Sequence, residues 1–304
     1  MRLSLRDDER STTRFGAGPL GTRARMLAGP RRVIGTWGSP NLETPSRALA
    51  NIVEGIVDWD FPDGDAARNL TVKVLPSTTP YIIVQYRAPI SSVRRFGDVD
   101  YQHPPYLHVT TRVQTGVAVV RPTGPVGVIV VRLRPEAAPR LLAECMPGLA
   151  DAKIGLADVF KAKDVSLLAE MLAEAPSSRE RMACMRRFLL ESLCEPEPDR
   201  VACHAAARLR RNPALRIQQL AADLGVSERH LSRRFQILFG MSPKQFARAA
   251  RVEKVALMRN TGAAWADTAY ACGFADQAHM INDVNAIIGA SPDQAFWPDG
   301  FFAW

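Results

Sequence analysis

One pattern occurs twice in the C-terminal third of the chain and limits what it can fold into. The stretch "LAADLGVSERHLSRRF" (residues 220–235) is answered by "TAYACGFADQAHMINDV" (residues 268–284). In each, an alanine is followed four residues later by a glycine, then an apolar residue, a polar residue placed to cap a helix, and a helical apolar period. Two helices that cross closely need a small side chain in the first and a residue tolerant of positive φ at the turn. Ala221 with Gly225, and Ala269 with Gly273, meet both needs. The expectation is a pair of helix-turn-helix units.

In the first copy Leu220, Leu224, Val226 and Leu231 fall on the inward face, and Ser227 caps the second helix. That leaves Glu228, Arg229, His230, Ser232, Arg233 and Arg234 on or near the outward face, with Arg229 and Arg233 side by side. Such a helix fits a DNA major groove about 12 Å wide, where arginine reaches guanine O6 and N7 and its neighbours reach phosphates. In the second copy Cys272 and Phe274 take the inward positions. Its turn is one residue longer, so Asp276 is the cap and Met280 the next core residue. Between the copies, "SPKQFARAARVEKVALMRN" (residues 242–260) reads as one amphipathic basic helix, capped by Ser242, with Pro243 and the candidate DNA contact Lys244 in its first turn. A rigid connector of this kind places two recognition helices on successive major grooves, about 34 Å apart.

Charge separates the two copies. The chain carries a net charge of +8 and a pI near 9.6, which admits a polyanionic partner. Residues 208–259 hold twelve Lys and Arg against Asp223, Glu228 and Glu253, whereas residues 260–304 hold no Lys or Arg and five aspartates. The basic face belongs to the first copy. The alternative to a DNA-binding module is a helical protein-interaction module derived from one, with little DNA affinity, and the acidic C-terminal segment is its support.

The 304 residues and 47% apolar content allow a core in each of two domains. Residues 1–40, rich in Arg, Gly, Ser and Pro, read as a disordered basic tail; a nucleic-acid arm or an upstream start codon read in error are the alternatives. Residues 41–135 contain short β-like runs, "TVKVLP", "YIIVQY", "YLHVTTRVQ", "GVAVVRP" and "GVIVVRLRP", spaced as in a small barrel or sandwich. This is the expected sensor or oligomerisation domain. Residues 136–195 switch to helical spacing and form a helical linker and candidate dimerisation segment, with Ser177 or Ser178 as a cap. "EPEPDR" reads as a hinge before an all-helical domain over 201–304. The fold class is therefore α+β: a small β-barrel or sandwich-like domain, a helical linker, and an all-α double helix-turn-helix domain.

Other patterns exclude more than they suggest. No run approaches a membrane span and no signal-peptide core precedes the first domain, so a cytoplasmic protein without a membrane partner is expected. Five cysteines show no C-x-x-C spacing and read as free thiols. His103 and His108 lack a third ligand, and no metal or other cofactor is expected. His279 reads as a core or interhelical hydrogen-bonding residue. Phe296, Trp297, Phe301, Phe302 and Trp304 read as packing for the last helix. No nucleophile–base constellation, P-loop or dinucleotide fingerprint is present, and an enzyme is not expected.

The segment "LAADLGVSERHLSRRFQILFGMSPKQFARAARVEKVALM" followed by "ACGFADQAHMINDVNAIIGASPDQAF" closely resembles the DNA-binding domain of AraC-type transcriptional regulators. The "GF-x-D-Q-x-H" element and both "G-x-S-P" connectors stand in register. The front half resembles more loosely a β-rich sensor domain of unknown ligand that precedes such domains. The resemblance implies a regulator that binds double-stranded DNA, with a small-molecule effector at its front domain, RNA polymerase as a candidate partner, and a homodimer as a candidate assembly. It also implies base contacts from Arg229, Ser232 and Arg233 in the first recognition helix and from Gln277, Ala278 and Asn282 in the second. Asn282 stands where the family usually has an arginine, so the second copy is expected to be kept for fold and spacing with its DNA contact reduced.

Overall fold

The computed structural model describes residues 41–43, 45–69, 72–93, 107–111, 116–142, 146–148, 153–194, 199–260 and 262–289. The expected tail, His103, Cys145, most of the hinge and the terminal aromatics lie outside them.

The front domain is built on strand β8 (Val126–Leu133), a nearly unbroken apolar run. Such a run suits a strand buried on both sides. Val126, Val128 and Val130 face a cluster with Val57, Trp59 and Tyr81. On its other side Ile129, Val131 and Leu133 join Ile56, Ile82 and Val84 in the main core. Strands β2 (Val53–Phe61) and β4 (Pro80–Gln85) flank β8, with Val57 and Val130 opposite each other and Ile82 opposite Val131. With β1 (Asn41–Glu43), β6 (Leu107–Thr111) and β9 (Lys153–Gly155) they make a six-stranded antiparallel sheet in the order β1-β2-β8-β4-β6-β9. A second sheet, in the order β3-β7-β5, comprises β3 (Val72–Val74), β5 (Ile90–Val93) and β7 (Ala118–Pro122). The α+β class and the sandwich-like front domain are as expected.

Helices α1 (Gly64–Arg68) and α2 (Pro139–Leu142) are single turns. The segment read as wholly helical differs from that reading, because β9 pairs there with the edge of β6 and "GLADVF" is the end of a strand and a 3-10 turn, Leu156–Asp158. Its longer helices are α3 (Ala162–Glu174) and α4 (Ser178–Glu191), the latter capped by Ser177, whose side chain accepts from Glu180 N–H at 3.3 Å. Leu168, Leu172, Met185 and Leu189 from these helices are buried in the main core, while Leu167 and Leu190 stay exposed. The apolar faces that suggested pairing between chains are thus largely used within one.

A buried ion cluster fixes α4 to the sheet. Strand alternation turns Ile56, Asp58 and Asp60 to one side and Val57, Trp59 and Phe61 to the other. Arg181 of α4 reaches Asp58 at 3.0 Å and Asp60 at 2.8 Å, and its guanidinium lies 4.7 Å from the Tyr86 ring centroid. Tyr86 donates to Asp58 at 2.6 Å. Burial and this bond to a carboxylate push the Tyr86 phenol far above its ordinary range.

The main core continues from the sheet through α3 and α4 into the C-terminal helices α5 (Arg200–Arg211), α6 (Ile217–Asp223), α7 (Glu228–Phe239) and α8 (Pro243–Asn260). Arg210 of α5 pairs with Glu54 of β2 and, at 3.2 Å, with Glu136, and Glu54 also pairs with Arg132 at 3.0 Å. Among the described residues no helix is long and apolar enough to cross a membrane.

Candidate nucleic-acid interface

Both expected helix-turn-helix units form. In the first, α6 and α7 are joined through Gly225 at φ +69°, and Val226 N–H donates to Ala221 C=O at 3.0 Å. In the second, α9 (Trp265–Ala271) and α10 (Gln277–Ile288) are joined through Gly273 at φ +75°, and Phe274 N–H donates to Ala269 C=O at 3.0 Å. A side chain at either glycine would be strained by the backbone alone, and at Gly273 a Cβ would also stand 2.7 Å from Ala214. The caps are as expected: Ser227 accepts from His230 N–H at 3.2 Å and Asp276 from His279 N–H at 2.7 Å. The second turn is longer by Ala275.

Each unit has its own packing. Phe235 and Phe239 of α7, with ring centroids 4.6 Å apart, meet Phe246 of α8 at 5.3 and 5.7 Å; aromatic pairs of this kind contribute about 0.5–1.5 kcal/mol each beyond area burial. The second unit buries Ala269, Cys272, Phe274, Met280, Val284 and Ile287 against Val252 and Val255 of α8. The connector is one uninterrupted helix, begun by a capping box in which Gln245 N–H donates to Ser242 Oγ and Ser242 N–H to Gln245 Oε1.

The outward face of α7 carries Arg229 and Arg233, both exposed, with Ser232 half-buried between them. Among the described residues neither arginine has an intramolecular partner. This distinguishes them from most of their basic neighbours. Of the twelve Lys and Arg in 208–259, seven are engaged within the chain: Arg208 with Asp223, Arg210 with Glu54 and Glu136, Arg234 with Asp199, Arg248 and Arg251 with Asp283, Lys254 with the Ala271 carbonyl, and Arg259 with the Ala263 carbonyl and the Trp265 ring. The five without a partner among the described residues are Arg211, Arg216, Arg229, Arg233 and Lys244, and all are exposed. Arg216 stands at the start of α6 and Lys244 in the first turn of α8, the two helices packed against α7. A polyanion bound there would meet these cations without breaking an ion pair among the described residues.

Residues 220–296 match the protein family described as "Helix-turn-helix domain". The C-terminal part of this chain is an AraC-type helix-turn-helix domain. The match covers the two helix-turn-helix units and not the front domain. Among solved structures, the chain is similar to ToxT from Vibrio cholerae O395, at 11% identity over 79% of this chain and 96% of that one, with a TM-score of 0.45. It is also similar to the AraC-like transcriptional activator CuxR, at 14% identity over 65% and 80% of the two chains and a TM-score of 0.27. No curated protein matches it by sequence.

The AraC-type domain arranges the remaining candidate residues in ways their spacing did not show. Arg234 turns back from the outward face: its Nη1 donates to Asp199 at 3.1 Å and its Nε to His230 Nε2 at 2.8 Å. Both Arg234 and His230 are therefore engaged at the α5–α7 junction. The Ser227 hydroxyl is engaged as a cap. Gln277, Ala278 and Asn282 are exposed on α10. His279 is exposed as well, with its ring edge-on to Phe274 at 5.5 Å, which corrects its expected core placement.

Counting from the caps, Arg233 corresponds to Asn282 and Arg234 to Asp283. Asp283 does what Arg234 does with the charge reversed, since it ties its helix to the preceding long helix through Arg248 at 2.9 Å and Arg251 at 3.7 Å. Arg251 also lies over the Phe274 ring at 4.9 Å and donates to Pro213 C=O at 3.3 Å. Sequence reasoning missed this tether, although the equivalent positions in the two copies offered the signal.

Proposed function

We propose that the chain is a sequence-specific DNA-binding transcriptional regulator whose base contacts come mainly from α7. The observation that carries this is the pair Arg229 and Arg233: four residues apart on one exposed helical face, beside Ser232, and without a partner among the described residues while Arg234 next to them is tethered. Arginine so placed makes bidentate bonds to guanine in the major groove. Arg211, Arg216 and Lys244 serve phosphates, which position the helix without reading sequence. Ser227 and His230 contribute at the start of α7 by holding its first turn, and Arg234 by fixing α7 to α5. On α10, Gln277 and Asn282 offer hydrogen bonds to bases, but the cations beside them, Arg248 and Arg251, are paired with Asp283, so the second unit adds little affinity.

The front domain is read as the sensor or oligomerisation unit. Its signal reaches the DNA-binding helices as a change in the relative stability of docked and undocked arrangements. The test is selection of bound duplexes from a random library, followed by footprinting on the selected sequence. Protection of one major-groove segment per chain is expected. Equal affinity for selected and random duplexes would reject the proposal.

A further inference from the structure

We propose that the second helix-turn-helix unit is the docking partner of the β domain, latched by Glu253, and that this interface, more than base readout, is what the second copy does. The inference rests on the reading of α7 as the DNA-contacting helix. It starts from an anomaly in the connector: α8 is basic, yet its middle carries Glu253.

That carboxylate is fully used by the loop between β3 and β4. The Ser77 hydroxyl and Thr78 N–H, the latter at 2.7 Å, donate to one of its oxygens, and the Thr78 hydroxyl donates to the other at 2.8 Å. The loop is built to present these donors. Ser77, Thr78 and Thr79 are buried, Thr79 N–H donates to the Ser77 hydroxyl at 3.0 Å, and the Tyr81 hydroxyl lies 3.1 Å from it. Removing either side leaves buried polar groups without partners, which makes the contact asymmetric between made and unmade.

Two further contacts join the same surfaces. Leu75, just before the loop, and Val117, just before β7, are buried in the apolar cluster of the second unit, among Val252, Met280 and Ile287. Gly116 N–H donates at 2.8 Å to the carbonyl of Ile287, in the last turn of α10, where carbonyls lack intrahelical donors. The core of the second unit is thus completed by the front domain. Its outward face is bare by comparison with the first: Ala264 stands for Arg216, Ala278 for Arg229 and Asn282 for Arg233.

The test is hydrogen exchange by mass spectrometry on the full chain, comparing wild type with Glu253→Gln, Thr78→Val and the double variant, alongside duplex affinity. Local opening of a docked surface raises exchange in the segments that share it. Expected are rises of about tenfold or more, together, in 75–79, in 116–117 and in the last turn of α10, with the first turns of α7 unchanged and the double variant no faster than the faster single one. Thr78→Val reaches the same contact from the β domain should Glu253→Gln fail to fold. Exchange that rises in 75–79 alone, or rises that multiply in the double variant, would overturn the latch. A tenfold loss of duplex affinity in Gln277→Ala would overturn the assignment of the second unit to docking. Failure of every variant and of wild type to bind duplex would remove the DNA reading yet leave the exchange result to decide the latch.

Discussion

Salt dependence gives the most direct measure of which cations meet DNA. Each phosphate neutralised contributes about −0.9 to the slope of log affinity against log salt. If Arg211, Arg216, Arg229, Arg233 and Lys244 all met phosphates, the slope would be about −4.5 per chain; with Arg229 and Arg233 given to bases, it would be about −2.7. A fourfold rise in salt, from about 0.05 to 0.2 M, then lowers affinity about 40- to 500-fold. The assay is fluorescence anisotropy on a labelled duplex at several salt concentrations, normalised to the measured stoichiometry. Arg216→Ala and Lys244→Ala should each flatten the slope by about 0.9, whereas Arg248→Ala, whose guanidinium is already held by Asp283 at 2.9 Å, should leave it unchanged. A slope shallower than about −1 for the wild type, or equal flattening by Arg248→Ala and Arg216→Ala, would refute the inventory of free cations.

The remaining predictions concern specificity, stability and pH. Arg233→Ala should cost about 1–3 kcal/mol on the selected site and relax preference at one base position, while Gln277→Ala and Asn282→Ala each change binding by less than about 1 kcal/mol; competition titrations with matched and random duplexes separate the two. Arg181→Met leaves Asp58, whose side chain is 0% exposed, as a buried unpaired charge and should destabilise the chain by about 3–5 kcal/mol in denaturant titrations. Replacing Asp58 by leucine in that variant should recover much of the loss, and a single variant as stable as wild type would contradict the role of the cluster. Burial first, then Asp199 and Glu136, pushes the Cys203 thiol up to about 12, and burial pushes Cys272 up to about 11. A raised thiol pKa means the unfolded chain loses its proton first, so stability falls as pH rises above the ordinary value of 9.0 and continues to fall towards 11 to 12. Substituting both cysteines by alanine should reduce that slope in unfolding experiments at pH values on either side of 9.

Much of the helical half is legible because its signals are local. Glycine at positive φ, a capping residue and a 3.6-residue apolar period all lie within a dozen residues, and Ser227, Asp276 and the longer second turn fall where that logic puts them. The sheet is legible where strands are uniformly apolar, as in β8. It is not legible in β2, "VEGIVDWDF", because Glu54, Asp58 and Asp60 interrupt the apolar pattern, and their partners Arg181 and Arg210 lie more than a hundred residues away. β9 is hidden for a related reason: three residues, "KIG", become a strand through pairing with the edge of β6. Local sequence carries no trace of that pairing.

The same distinction governs the charged surface. Summed over segments, the second copy looks acidic and the first basic, and that difference suggests that one binds DNA and the other repels it. The contacts redistribute the charge. Asp283 is neutralised by Arg248 and Arg251, Arg234 by Asp199, and Glu253 is taken up by hydroxyl and amide donors of the β domain. What differs between the copies is then narrower than net charge implies: the outward arginines at two recognition positions and one cation at the start of the first helix. A tether position kept in both units with its sign reversed shows that the duplicate conserves its mechanical connections while its outward face changes. On the two proposals together, the second unit remains under the packing constraints of a helix-turn-helix while its surface serves the front domain, and the outward face of α7 in the first unit is the one available to read the groove.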